Sequence, residues 1–144
     1  MTNSHFEKAL NAFKKTGATV TPQREIILAY LVDSHCHPTA KKIYSDLNEG
    51  HQHISLATVY NTLEALIKAK LVIDIEDSKT AEHHFDYFGS PHYHIICDRC
   101  GSIVDGEDFD FSSLLKGAEK ESGYLLKSAH VEVHGLCPNC QKKV

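Results

Sequence analysis

The sequence predicts an α+β chain in two halves: a winged helix-turn-helix, then a small α/β domain built around a four-cysteine zinc site. Three observations lead there. Apolar residues recur at helical spacing as far as Ile67 and at alternating spacing from Leu71 onward. Two Cys-x-x-Cys pairs, Cys97/Cys100 and Cys137/Cys140, stand in the second half. Charge divides in the same place. Residues 1–72 hold eight Lys/Arg and six Asp/Glu, a net +2, whereas residues 73–144 hold seven and thirteen, a net −6. The first half is therefore the better suited to an anionic partner.

At 144 residues, 42% hydrophobic and 24% charged, the chain has the composition of a folded domain or two small ones. No apolar run approaches the ~20 residues of a membrane span. The stretch Met1 to Leu10 is polar and lacks the apolar core of an export signal. A cytoplasmic protein is expected.

Phe6, Leu10 and Phe13 mark a first helix that Gly17 ends. Thr21-Pro22 reads as an N-cap with proline at the first helical position, and Ile26, Ile27, Tyr30 and Leu31 form the stripe of the second helix. Pro38 breaks the chain at His37. Thr39 caps a third helix with Ala40, Ile43, Tyr44 and Leu47 on one face. Ser55 caps a fourth, with Val59, Leu63, Leu66 and Ile67 toward the core and Thr58, Tyr60, Asn61 and Lys68 on the other side. Leu71, Ile73 and Ile75 then alternate with polar neighbours as a strand, and Ala81 to Tyr87 returns beside it. Helices followed by a hairpin make a winged helix-turn-helix, whose second helix, Ser55 to Ala69, would enter the major groove of DNA. A small helical domain with a wet polar face is the alternative.

The chain changes domain near Gly89-Ser90-Pro91. His92 to Cys97 and Gly101 to Asp105 read as a hairpin, Asp110 to Ser122 as a helix with Phe111, Leu114, Leu115 and Ala118 inward, and Leu125 to His134 as a strand. So small a unit needs a staple. Cys97, Cys100, Cys137 and Cys140 supply it, since four thiolates suit tetrahedral Zn(II) with no open position. Two redox dithiols are the rival. Cys36 is the odd cysteine, a reduced loop thiol or, flanked by His35 and His37, a reactive one.

Eleven histidines are a surplus. His83, His84, Asp86, His92 and His94 fall within twelve residues, and Asp105 follows on what should be the neighbouring strand. His92 and His94, two apart, share a strand face. Two imidazoles and two carboxylates suit Fe(II), Mn(II) or Zn(II). A row of solvated histidines is the bland alternative.

At this point the chain resembles the Fur family of metal-dependent repressors, and most of all its peroxide-sensing branch (PerR). The segments that carry the resemblance are Val20-Thr21-Pro22-Gln23-Arg24, His37-Pro38-Thr39-Ala40, Ile43-Tyr44, Ser55-Leu56-Ala57-Thr58-Val59-Tyr60-Asn61-Thr62-Leu63, His92 to Gly101, and Gly135-Leu136-Cys137. The resemblance implies a winged-helix domain over 1–84, a hinge over 85–91, and a dimerisation and metal-binding domain over 92–144. It implies a homodimer on palindromic double-stranded DNA, and a regulatory Fe(II) or Mn(II) held by His37, Asp86, His92, His94 and Asp105. Aspartate at 105, where iron-uptake regulators carry glutamate, resembles the peroxide sensors. Pro91 and Tyr93 stand where those regulators often carry further ligands, so a third metal site is not expected. Thr19 replaces a basic residue common in the family, and His134 replaces a tyrosine. His134 and His5 are minor candidates as extra ligands.

The metal would hold the two domains at the angle that matches the operator. Peroxide would oxidise a ligand imidazole, His37 or His92, and release the repressor. No enzymatic turnover is implied. Ser55, Thr58, Tyr60 and Asn61 are the expected groove or phosphate contacts, with Lys15 and Arg24 on the DNA backbone. The rivals are a zinc- or manganese-uptake repressor of the same family, a thiol-disulfide redox protein, and an RNA-binding zinc ribbon, which the acidic second half disfavours.

Overall fold

The structure is a computed structural model of the chain, describing residues 2–34, 36–77, 80–88 and 92–143. The chain divides into two units, Met1–Gly89 and Ser90–Val144.

The first unit opens with α1 (Thr2–Lys15), closed by Gly17 in the left-handed region at φ +83°. Three helices follow, each capped as expected. Thr21 Oγ1 accepts the Arg24 N–H at 3.2 Å and starts α2 (Pro22–Asp33). Thr39 Oγ1 accepts the Lys42 N–H at 3.1 Å and starts α3 (Ala40–Glu49). Ser55 Oγ accepts the Thr58 N–H at 3.1 Å and starts α4 (Leu56–Lys68). Each such cap contributes about 1 kcal/mol.

Phe13, Ile27, Leu28, Leu31, Ile43, Val59, Leu63 and Leu66 meet in one core. Two helical stripes differ from expectation. In α2, Leu28 is buried while Ile26 and Tyr30 are only partly covered. The consecutive apolar residues Ile26, Ile27 and Leu28 do not fix the phase of a helix packed on several sides. Tyr30 stays at the edge because its hydroxyl donates to Asp46 Oδ2 at 2.6 Å. In α3, Tyr44 is exposed.

The wing is β1 (Val72–Glu76) antiparallel to β2 (His83–Tyr87), with Val72 opposite Tyr87 and Glu76 opposite His83. Val72 and Ile75 are buried rather than the alternating set Leu71, Ile73 and Ile75. A two-stranded ribbon twists strongly, so a strict two-residue period does not persist along it. β2 begins at His83, not Ala81, because Ala81 stands in the turn at φ +60° with its N–H on the Asp77 carbonyl at 2.8 Å. The rest of that turn, Ser78 and Lys79, lies outside the described residues. The segment before α3 runs along β2. Thr39 bridges His84, and the Phe85 N–H donates to the Pro38 carbonyl at 2.9 Å. Phe85, Asp86 and Tyr87, expected in the hinge, therefore belong to the wing, and Phe85 is buried in the core. Phe88, next in the expected hinge, donates its N–H to the Leu71 carbonyl at 2.9 Å, and the last three positions, Gly89, Ser90 and Pro91, lie outside the described residues.

The second unit is a three-stranded sheet of order β4-β3-β5. β3 (Tyr93–Cys97) pairs antiparallel with β4 (Ile103–Gly106) and parallel with β5 (Glu132–Gly135). The expected strand from Leu125 shrinks to four residues because β3 offers partners only from His94 to Cys97. Gly106 lies under the Tyr93 ring, where any β-carbon would collide. Asp110 caps α5 (Phe111–Ser122), and Gly123 closes it at φ +75°. No residue of α5 is buried: on the expected inward face Phe111, Leu115 and Ala118 are only partly covered and Leu114 is exposed. A short α6 (Pro138–Gln141), not foreseen from the sequence, follows Cys137.

Candidate metal centres and helix-turn-helix

The four cysteines converge. Cys97 and Cys100 flank the turn after β3, and Cys137 and Cys140 flank the first turn of α6. Their sulfur atoms all lie within 4.8 Å of one another. Backbone amides point at the sulfurs. Cys97 Sγ accepts from the N–H groups of Cys100 at 3.5 Å and Cys137 at 3.4 Å, and Cys137 Sγ accepts from Cys140 at 3.4 Å.

These amides hold the Cys97 thiol down to about 6, those of Cys100 and Cys137 first. Cys140 is pushed up to about 12, chiefly by its neighbour Cys137. Cys100 is also lowered, with Ser102 as the first cause, so two thiolates are favoured and four become compatible only when a dication sits among them. This is the donor set of a structural zinc site. The two pairs form one cluster rather than two separate dithiols, which removes the geometric basis of the redox reading.

The histidines sort by unit. In the first unit, His37 is buried and its Nε2 lies 3.9 Å from Asp86 Oδ2. In the second, His94 is fully buried opposite Asp105 across the β3–β4 ladder, with Nε2 3.6 Å from Asp105 Oδ1. His92, also buried, stands edge-on to His94 with ring centres 4.8 Å apart. Each unit therefore gathers imidazole and carboxylate donors without thiolate, a set that suits Fe(II), Mn(II) or Zn(II).

The other histidines do different work. His83 turns outward, its Nδ1 2.7 Å from Asp74 Oδ1. His84 donates from Nδ1 to the His37 carbonyl at 2.8 Å. His134 lies between Asp98 and Glu132, at 3.2 and 3.4 Å, and His5 is exposed on α1. Cys36 is exposed, with Sγ 3.4 Å from Ser34 Oγ. Sequence reasoning passed over His130, whose ring stands edge-on to His94 at 5.6 Å. No spacing rule would have found it, because β5 brings it from far along the chain.

On the helix-turn-helix, α4 presents Tyr60 and Asn61 to solvent. Ser55 and Thr58 hydroxyls bond one another at 2.8 Å at the head of the helix. Lys15 is exposed at the end of α1. The Arg24 guanidinium donates to the Thr19 carbonyl at 2.9 Å, so it is already partly engaged.

The sequence profile of the Ferric uptake regulator family matches residues 15–134. The chain belongs to this family. It is 38% identical to the peroxide operon regulator of Bacillus subtilis over 143 residues, covering 99% of this chain and 98% of that protein. It is 34% identical to the peroxide-responsive repressor PerR of Staphylococcus aureus over 137 residues, 95% of this chain and 92% of that protein. Among solved structures, PerR from Streptococcus pyogenes matches with a TM-score of 0.54 at 34% identity, over 94% of this chain and 92% of that one. The ferric uptake regulator of Helicobacter pylori, described as having three functional metal-binding sites, matches with a TM-score of 0.72 at 25% identity, over 98% and 94%. The family is one of regulators rather than enzymes. No helix among the described residues is long and apolar enough to cross a membrane.

Proposed function

We propose that this protein is a cytoplasmic, metal-dependent transcriptional repressor that binds palindromic DNA as a homodimer and loses that binding when peroxide oxidises it. The observation that carries the metal part is the division of donors. Four thiolates close one zinc site, while each unit by itself gathers buried imidazole beside carboxylate without thiolate, His37 with Asp86 in the first and His92 and His94 with Asp105 in the second. The relatives support the peroxide part, since proteins 38% and 34% identical to this chain over nearly their whole length are peroxide regulators.

By this reading His37 and Asp86 from the first unit, with His92, His94 and Asp105 from the second, hold one Fe(II) or Mn(II). Fe(II) supplies one-electron chemistry toward peroxide, and Mn(II) supplies only charge and coordination. The chain's own share is to hold the winged helices at one spacing. Ligands from both sides of the 88–91 connection couple metal to DNA reciprocally, typically by ~1–3 kcal/mol. The net change on sensing is one oxygen atom added to an imidazole, His37 or His92, as peroxide is reduced to water. An oxidised imidazole is a poorer ligand. Tyr60 and Asn61 read the groove, Ser55 and Thr58 meet phosphates at the head of α4, and Lys15 and Arg24 contact the backbone. Val104, Leu114, Val133 and Leu136, all well exposed, supply the dimer surface.

The test uses duplexes selected from a random pool on the Mn(II) protein. Peroxide should abolish binding by the Fe(II) form, add one oxygen to a peptide containing His37 or His92, and leave the Mn(II) form bound. Fe(II) protein that keeps both its mass and its DNA would make this a plain metal-uptake repressor.

A further inference from the structure

We propose that His84 is a positioning residue for the regulatory site: its imidazole holds the His37 main chain in the conformation from which the His37 side chain serves as a ligand. The inference rests on the reading that His37 and Asp86 are ligands.

His37 is not glycine, yet its φ is +50°. That region crowds the β-carbon of an L-residue, although histidine tolerates it better than most. The next residue, Pro38, has no N–H with which to anchor the loop. The segment is instead held through its acceptors. Pro38 gives its carbonyl to the Phe85 N–H at 2.9 Å, and Thr39 bridges His84. Both ties are main-chain and survive any ordinary substitution at 84. The third tie does not. His84 Nδ1 lies 2.8 Å from the carbonyl oxygen of His37 itself. A carbonyl only accepts, so Nδ1 carries the hydrogen.

His84 and Asp86 are two apart on β2 and share one strand face. The strand that presents the carboxylate thus also grips the loop that presents the imidazole 3.9 Å from it. At this point the His84 side chain ties the wing to the main chain of a ligand residue in the metal loop. Outer partners that orient a ligand typically change metal affinity by ~10–100-fold when lost.

The experiment titrates Mn(II) into the full-length, zinc-loaded protein and records the visible spectrum of the Co(II)-substituted regulatory site. His84→Phe keeps a ring of similar shape without the donor, and His84→Asn keeps an N–H close to the position of Nδ1. Expected are ~10-fold weaker Mn(II) binding and a shifted Co(II) band in His84→Phe, with both recovered in His84→Asn. His83→Phe, on the outer face, should match the parent protein. In a His37→Ala background, His84→Phe should have no further effect. If His84→Phe binds Mn(II) normally while His37→Ala does not, this inference falls and the site reading stands. An equal loss from His84→Phe in the His37→Ala background also overturns it. If His37→Ala itself binds Mn(II) normally, the site reading falls and takes this inference with it.

Discussion

The two units are built on different principles. The first buries aliphatic and aromatic side chains from four helices and the wing, with Phe13, Ile27, Leu31, Ile43, Leu63 and Leu66 at or near zero exposure. Among the described residues of the second, the buried ones are His92, His94, Ile96, Cys97 and Cys140. All but Ile96 are metal-ligand types. The apolar residues that might have made a core there are on the outside: Val104 is 56% exposed and Leu114 42%. The lesson is that one unit is held by hydrophobic burial, and the other has placed its interior at the disposal of metal ions and its apolar surface at that of a partner.

The contrast breaks most sharply on zinc. Removing the metal with a strong chelator, or substituting Cys137→Ser, should unfold the second unit and leave the first folded. Structural zinc contributes ~10–16 kcal/mol of apparent binding energy in small domains, far more than so thin a core supplies. Calorimetry should show the loss of one transition and the survival of another. A zinc-free protein that keeps both transitions would show that the second unit has a core of its own.

The converse comes next in size. Leu63→Ala removes a fully buried side chain from the helical core and should lower the stability of the first unit by ~2–5 kcal/mol. The bound zinc, followed by metal analysis, should be unaffected. Loss of zinc from this variant would mean that the units do not fold independently.

A smaller effect is expected at the exposed apolar face. Leu114→Asp leaves the fold of the chain intact, because Leu114 is not buried within it. It should weaken self-association by ~2 kcal/mol or more if the residue lies near the interface centre. Sedimentation velocity would detect the monomer, and an unchanged dimer would move the interface elsewhere on the unit.

The smallest effect concerns His83 on the wing. Its hydrogen bond to Asp74 holds the imidazole above the ordinary histidine range. The folded value exceeds the unfolded one, so the stabilisation is complete below the ordinary value of ~6.5 and is lost as pH rises through the raised one. Both groups are largely exposed, so solvent screens the pair and the change in stability is slight. Asp74→Asn should bring the His83 titration, followed by NMR, back down. If it does not move, the pair is not formed in solution.

How much of this was legible beforehand depends on reach along the chain. The helix caps at Thr21, Thr39 and Ser55 were readable because a cap and its N–H lie three residues apart. The cysteine pairs were readable for the same reason, and so was Asp105 opposite His94, through a short hairpin. The exact buried set of α2 and β1 was not, because it depends on what packs against each face.

The amino-acid order by itself thus determined the local elements, the four-thiolate cluster and the candidate nitrogen-oxygen donors. Only the tertiary structure decided which histidine does what. It turned His83 outward to Asp74, gave His84 to the carbonyl of His37 from 47 positions away, and brought His130 beside His94. Neighbours on a strand are chemically alike but point to opposite faces, and which face meets which loop is set by pairing register and packing. Those are properties of distant segments meeting, and no local pattern encodes them.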